Sequence, residues 1–501
     1  MEKIREIAEI VTRLKSKKID RPLADVHVPD SQYAKIAKAL GSDKIRTEDE
    51  VATLLGIRKS SSSFRMFKKR LKEKLLNGMF FIDLNEENAR PYIRATKTCM
   101  ANCYCIDILM LFSARNAGAS LAESTLKKAS EFELYDVALF CAKVLRKQNS
   151  YLGNIKEFEL YNELVEHYHR FAYVTDKAAE YLEALNATQA NTNILKPDNI
   201  EKAAENLQLV KELFRQYPVY QVGLHFYRIK AFYECLIQDF NAALATWKDY
   251  EGFLEKYKYY EYDVRLGESA LQQLYCQLCV SDYAAGENNA TRCENLFKLH
   301  SNNWFIYKEY FFLLCMHTRN YKQAGDTVLQ ITTASHFKFL NRNRQEKWKI
   351  FEAYNYMVHK ALGIHGEGFE ETRFRLSSFL NETLIYNKDK EGFNTSILIF
   401  QAMLLLLEGN FRKLVDKTEA LKRYANRYFI KDAIYKSQIF IKMLLIADKC
   451  SYDKSLTSQK TIKYFEKLKT SGYAHVNSYD GLEIVPYSDL WEIALDCMKD
   501  E

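Results

Sequence analysis

The sequence predicts an all-α protein, a stack of antiparallel helical hairpins behind a small N-terminal helical unit. Three observations predict it. Chain breakers are scarce, with 17 glycines and 6 prolines in 501 residues, too few for the frequent tight turns of a β-rich fold. Apolar residues recur at spacings of three and four through most of the chain, the period that lines one face of a helix. One short phrase also returns four times after residue 95: a polar turn, an aromatic, then a small or apolar residue three positions on. A chain of 501 residues exceeds one typical domain, and an array that grows by stacking accommodates that length. Hydrophobic residues at 48% and charged residues at 27% describe a folded chain rather than a disordered one.

Residues 1–90 read as a separate unit. Ile4, Ile7, Ile10 and Leu14 mark an amphipathic helix, and RPLADVHVPD, with Pro22 and Pro29, marks an extended segment. Helices return in SQYAKIAKAL and TEDEVATLLG. The second has Thr47 as its N-cap and Glu50 three residues on, the spacing of a capping box. The next helix starts at Phe64, with Ser62 or Ser63 capping its first amides. Phe64, Phe67, Leu71 and Leu75 then form one buried stripe. NGMFFIDLNEENARPYI, from Asn77, reads as an extended or turning link into the larger body.

The charge of this unit sets it apart. From Arg58 to Lys74 there are eight basic residues (58, 59, 65, 68, 69, 70, 72 and 74) and one acid, Glu73. Their balance of +7 equals the formal net charge of the whole chain. Arg65, Lys69 and Lys72 fall on one flank of the predicted helix, with Lys68 where that flank meets the apolar stripe. With Arg58 and Lys59 they are the candidate contacts for an anionic partner, either nucleic acid or an acidic protein. EDEVATLLGI, a polar turn and a basic helix together resemble the helix-turn-helix of DNA-binding proteins. Ala52 stands four residues before the turn glycine, Gly56, and Ile57 follows, as in that family. The resemblance implies a second helix that enters the major groove. Where the family then places a buried aliphatic, this chain has Ser62, and its aromatic arrives at Phe64 as though two residues were inserted.

Residues 91–501 carry the recurring phrase: ELYDVALFCAKVL (Tyr135, Ala138), QDFNAALATWKDY (Phe240, Ala243), RNYKQAGDTVLQI (Tyr321, Ala324) and GNFRKLVDKTEAL (Phe411, Leu414). Each follows an apolar helix and opens an amphipathic one. The small residue lets antiparallel helices approach, and the aromatic is expected to fill the wedge at their turn. The pattern resembles the tetratricopeptide repeat, a helix–turn–helix unit of about 34 residues. The likeness runs irregularly over 95–470, since the four aromatics stand 105, 81 and 90 residues apart. It implies an α-solenoid whose groove receives a protein or peptide. No copy shows the family's peptide-clamp residues.

Sites for chemistry are weak. CMANCYC (Cys99, Cys103, Cys105) and CQLC (Cys276, Cys279) have spacings that zinc sites use, but both lie in apolar helical stretches, where Cys packs as a small hydrophobe. His167 and His169 are two apart, on opposite sides of a helix, and so cannot share a metal. No phosphate loop, dinucleotide-binding glycine pattern or nucleophile elbow is present. The tyrosines of FLEKYKYYEYD (Tyr257, Tyr259, Tyr260, Tyr262) are expected to pack between hairpins. Neither catalysis nor a cofactor is expected. MEKIREIAEIVTRLKSKK is charged throughout and predicts no secretory leader. The most apolar window, SILIFQAMLLLLEG (396–409), is too short to span a bilayer. With eleven cysteines in no regular framework, a cytoplasmic chain with reduced thiols is expected. The expected function is a non-enzymatic interaction scaffold or adaptor on tetratricopeptide-like repeats. The alternative is a nucleic-acid-binding regulator with an N-terminal helix-turn-helix and a partner-sensing repeat domain.

Overall fold

A computed structural model describes residues 4, 5, 7, 8, 32–42, 44, 45, 47–79, 90–191, 197–334, 337, 340, 342–364, 393–428, 436–470 and 483–499. Among the described residues the protein is an all-α solenoid with no β-strand; one isolated parallel bridge joins Asp453 and Lys499. The chain divides into two compact units, residues 1–148 and 149–501. The segment 1–90 lies inside the first.

The first unit opens with α1 (Gln32–Gly41), α2 (Glu48–Leu55) and α3 (Ser62–Met79). They share one core, in which Ile36, Leu40, Val51, Phe64, Leu71 and Leu75 are buried. Local chemistry sets each end. Thr47 Oγ1 accepts from the Glu50 N–H at 3.2 Å, and the Thr47 N–H donates to the Glu50 carboxylate at 2.9 Å. This is the expected capping box. At the far end of α2, Gly56 takes a left-handed φ of +67°. Its N–H donates to the Thr53 carbonyl and that of Ile57 to the Ala52 carbonyl, both at 3.1 Å, the pairing that ends a helix on glycine. The start of α3 differs from expectation. It begins at Ser62, and the capping side chain is Ser61, whose Oγ accepts from the Phe64 N–H at 3.1 Å. The cap sits three residues before the amide it accepts from, and Ser62 and Ser63 are exposed first-turn residues. Of the first amphipathic helix, Ile4 and Ala8 are described and buried. Ile10, Leu14, the segment with Pro22 and Pro29, and residues 80–89 of the link lie outside the described residues.

Three further helices follow: α4 (Pro91–Leu111), α5 (Arg115–Glu131) and α6 (Tyr135–Leu152), whose last residues belong to the second unit. In the second unit α7 (Ile155–Asn191) and α8 (Pro197–Gln216) lead into α9 (Tyr220–Leu236) and α10 (Phe240–Leu254). Next come α11 (Tyr262–Val280) with α12 (Tyr283–Leu296), and α13 (Asn302–His317) with α14 (Tyr321–Thr332). After α15 (Arg342–Leu362), α16 (Phe393–Leu407) pairs with α17 (Phe411–Tyr428) and α18 (Lys436–Lys449) with α19 (Lys454–Thr470); α20 (Tyr487–Asp496) ends the array. Within the second unit each helix packs on its neighbour in sequence, and α7 on α9, α11 on α13 and α18 on α20 add next-nearest contacts.

One turn builds these hairpins. A residue with left-handed φ ends the first helix, and the next N–H donates back five residues. This occurs at Gln238, Ser281, Arg319, Gly363, Gly409 and Ser451, with closing bonds of 2.8–3.0 Å such as Asp282 N to Gln277 O. The intervals are 43, 38, 44, 46 and 42 residues, longer than the unit of about 34 that the resemblance implies. Ser113, Glu133 and Gly153 make the same turn earlier in the chain.

The repeated phrase sits at these turns. Tyr135, Phe240, Tyr321 and Phe411 are each the first residue of a helix, and Ala138, Ala243, Ala324 and Leu414 are fully buried. Where ring contacts are described, the aromatic does not fill its own turn. Phe240 meets Tyr275 on α11 at 6.4 Å, and Phe411 meets Tyr452 beyond α18 at 5.0 Å. It therefore joins successive hairpins, because a ring at the first helical position points past its own short turn. Tyr283 and Gly286 form an unrecognised copy, with Tyr283 meeting Phe311 on α13 at 6.4 Å. A single apolar core runs from Phe240 to Met498 and buries most of the 396–409 window in α16. Among the described residues no helix is long and apolar enough to cross a membrane.

Candidate functional site

The basic helix α3 is held by the stripe the sequence predicts. Phe64, Phe67, Leu71 and Leu75 are buried, and Tyr33 of α1 stacks on Phe67 with ring centroids 4.8 Å apart. That anchoring fixes which side chains face water. Arg65, Lys69 and Lys72 follow one another at intervals of four and three on one flank, and all three are exposed. No described residue forms an ion pair with them.

The other two lysines of the candidate set are already engaged. Lys68 Nζ lies 2.5 Å from Glu48 and Lys59 Nζ 2.8 Å from Asp49, both acids of the first turn of α2. Lys68 also lies 5.8 Å from the Phe64 ring centroid. Its ammonium holds the Glu48 carboxyl below the usual range, while Asp49 raises the Lys59 pKa. Glu48, Arg58, Lys59, Ser60, Arg65 and Lys68 line an open concavity of about 780 Å³ over the α2–α3 turn. The site therefore has a tethered part at the turn and an unneutralised ridge along the helix. Sequence reading found the cations and missed Glu48 and Asp49. An acidic first turn shortly before a basic helix was the available signal.

The other candidates fall apart as sites. Cys99 and Cys276 are buried; Cys103 lies beside Cys141, and Cys235 Sγ lies 3.8 Å from Cys276 Sγ. The hydrogen bond from Cys235, reinforced by burial, pushes the Cys276 thiol well up, and burial does the same to Cys279. His167 and His169 are exposed on α7, with His167 against Phe171 at 4.6 Å. Among the described residues no three His, Cys, Asp or Glu side chains gather closely enough to hold a metal. Tyr257 and Tyr260 pack on Tyr220 at 5.1 and 4.4 Å, Tyr262 donates to Glu255, and Tyr259 is 76% exposed. Charges on the first helices of the hairpins join successive repeats: Arg228 pairs with Glu268, and Arg344 lies 3.0 Å from Glu309. No protein-family model matches this chain, and no curated protein matches it.

Proposed function

We propose that the chain is a nucleic-acid-binding regulator. Its α2–turn–α3 segment acts as a helix-turn-helix, α3 lays its basic ridge against backbone phosphates, and tetratricopeptide-like hairpins receive a protein or peptide. One observation carries this reading. Arg65, Lys69 and Lys72 share an exposed flank of a helix whose apolar stripe is anchored in the core it shares with α1 and α2. Cations held on a rigid helix and left unneutralised suit a polyanion with regularly spaced charges. Phe64, which comes two residues after the position where the family has its aliphatic, is buried in the core, and Ser61 accepts its N–H. The reading assigns no catalysis.

The test is fluorescence anisotropy of labelled duplex DNA and RNA over a salt series, with the native chain beside R65E/K69E/K72E. Native binding should weaken with salt, and the variant should lose about one unit of log–log slope per removed contact. A native chain that binds neither polymer at low salt overturns the reading. The scaffold reading then stands first. The contacts of Lys59 with Asp49 and Lys68 with Glu48 favour it, since they show the same turn already accepting protein carboxylates.

A further inference from the structure

Helices α9 and α11 open successive hairpins, and both pack on α10, which lies between them in sequence. Two contacts join them directly. Arg228 pairs with Glu268, and Cys235 Sγ lies 3.8 Å from Cys276 Sγ. From the ion pair to the thiols is seven residues on α9 and eight on α11, about two turns of each helix. The helices therefore run side by side in the same direction, and the ion pair fixes their register independently of the sulfurs. Both cysteines are free thiols, Cys276 buried and Cys235 half-buried. A cysteine that serves only as a small apolar residue has no need to meet a second sulfur on the next hairpin.

We propose that Cys235 and Cys276 are a redox-reactive pair, which hydrogen peroxide converts into a disulfide that bridges the two hairpins. Sulfurs in a disulfide stand about 2.05 Å apart, so rotation of the two side chains has about 1.8 Å to close while the helices stay in place. Access divides the roles. Cys235, partly exposed, gives its proton to solvent and attacks a peroxide oxygen as the thiolate. The O–O bond breaks, hydroxide leaves and is protonated to water, and Cys235 becomes a sulfenic acid. Cys276, kept protonated by burial and by its contact with Cys235, then attacks the Cys235 sulfur. The S–S bond forms, the S–O bond breaks, and the departing hydroxide takes the Cys276 proton as a second water. Two thiols and one peroxide thus yield one disulfide and two waters. A small oxidant suits the site, because Cys276 is fully buried and admits no bulky disulfide reagent.

The bridge would hold the first helices of two hairpins at one spacing. That this sets the shape of a peptide-receiving groove rests on the function proposed above; the bridge does not. The test uses the full chain, reduced, freed of reductant and treated with hydrogen peroxide while its circular dichroism stays native. Intact mass should fall by about 2 Da for each bridge, the two hydrogens removed, and dithiothreitol should restore it. Peptide mapping without reductant should join the peptides that hold Cys235 and Cys276. Cys276→Ser should lose that link and leave Cys235 open to dimedone, which captures sulfenic acids. Cys235→Ser, at the half-buried position, should keep the native fold, lose the link and leave Cys276 unlabelled by dimedone. A native chain without the Cys235–Cys276 link overturns the proposal. So does a link that appears only in urea, one from Cys235 to Cys279 in its place, or oxidation confined to Cys103 and Cys141, the other adjacent thiols. None of these results bears on the ridge of α3, and failure of nucleic-acid binding leaves the bridge standing.

Discussion

His225 shows how a single residue couples this fold to pH. It lies on α9, its Nδ1 is buried with no hydrogen-bond partner among the described residues, and Arg228 and Arg265 are its charged neighbours. Burial, reinforced by these two cations, lowers its pKa from 6.5 to about 4. Between those values the unfolded chain binds the proton and the folded chain does not, so stability rises with pH and falls on acidification. The loss should approach about 3 kcal/mol once pH drops from 6.5 to about 4. Urea midpoints at both ends of that window check this: His225→Gln should flatten part of the native decline. An unchanged decline in the variant assigns the effect elsewhere. The sequence shows a histidine at this position but not its neighbours, since Arg265 reaches it from α11. By contrast, Thr47, Glu50 and Gly56 are legible directly, because caps are made by residues within one turn.

At the scale of elements, two glycines test the packing rule behind the hairpins. Gly252 lies within α10, and a Cβ added there meets nothing within 4 Å. Gly252→Ala should therefore stabilise the chain by about 0.5–1 kcal/mol through helix propensity alone. Gly286 occupies the small-residue position of α12, where a Cβ would lie 2.1 Å from Leu314 Cδ2, a buried side chain of the next hairpin. Gly286→Ala gains the same propensity but overpacks the core, with a net loss of about 1–2 kcal/mol. Thermal midpoints should thus move in opposite directions, and a shared direction would refute the close-approach role of that position. These elements also show what the phrase search could detect. The 81 residues between Phe240 and Tyr321 hold another turn, at Ser281. Its Tyr283 and Gly286 fit the phrase as a further copy between the two. Gly363 likewise divides the interval from Tyr321 to Phe411. A left-handed residue needs no fixed side chain, so the turn recurs in structure with little signature in sequence.

Across the second unit, the C-terminal end is tied back to the middle of the array. Arg319 at the α13–α14 turn forks onto Asp489 of α20 at 2.9 Å and reaches Glu492 at 2.8 Å. Beside it His317 Nε2 lies 2.7 Å from the Glu483 carbonyl. The Glu483 carboxylate pairs with Lys436 at 3.0 Å and accepts the Tyr487 N–H at 3.0 Å. Both side chains of this pair are well buried, at 13% and 3% exposure. Glu483→Ala should remove this buried charge pairing together with the acceptor of the Tyr487 N–H, and cost about 3–5 kcal/mol. Glu483→Gln, which can still accept the Tyr487 N–H, should cost less. Equal losses on thermal unfolding would remove the charge pair as the cause.

What the sequence by itself determined is local: the all-α class, the caps of α2, the buried stripe of α3 and the cations that stripe leaves in water. Each depends on helical period or on groups within one turn of each other, which spacing records. Only tertiary structure decided which cations Glu48 and Asp49 take up, that the phrase aromatics bridge hairpins, and that α20 returns to Arg319 some 170 residues earlier. It also decided which side of α4 is covered. Apolar residues stand on more than one side of α4, among Arg94, Lys97, Asn102 and Asp107, and periodicity reveals that a helix has faces without revealing which neighbour will bury them.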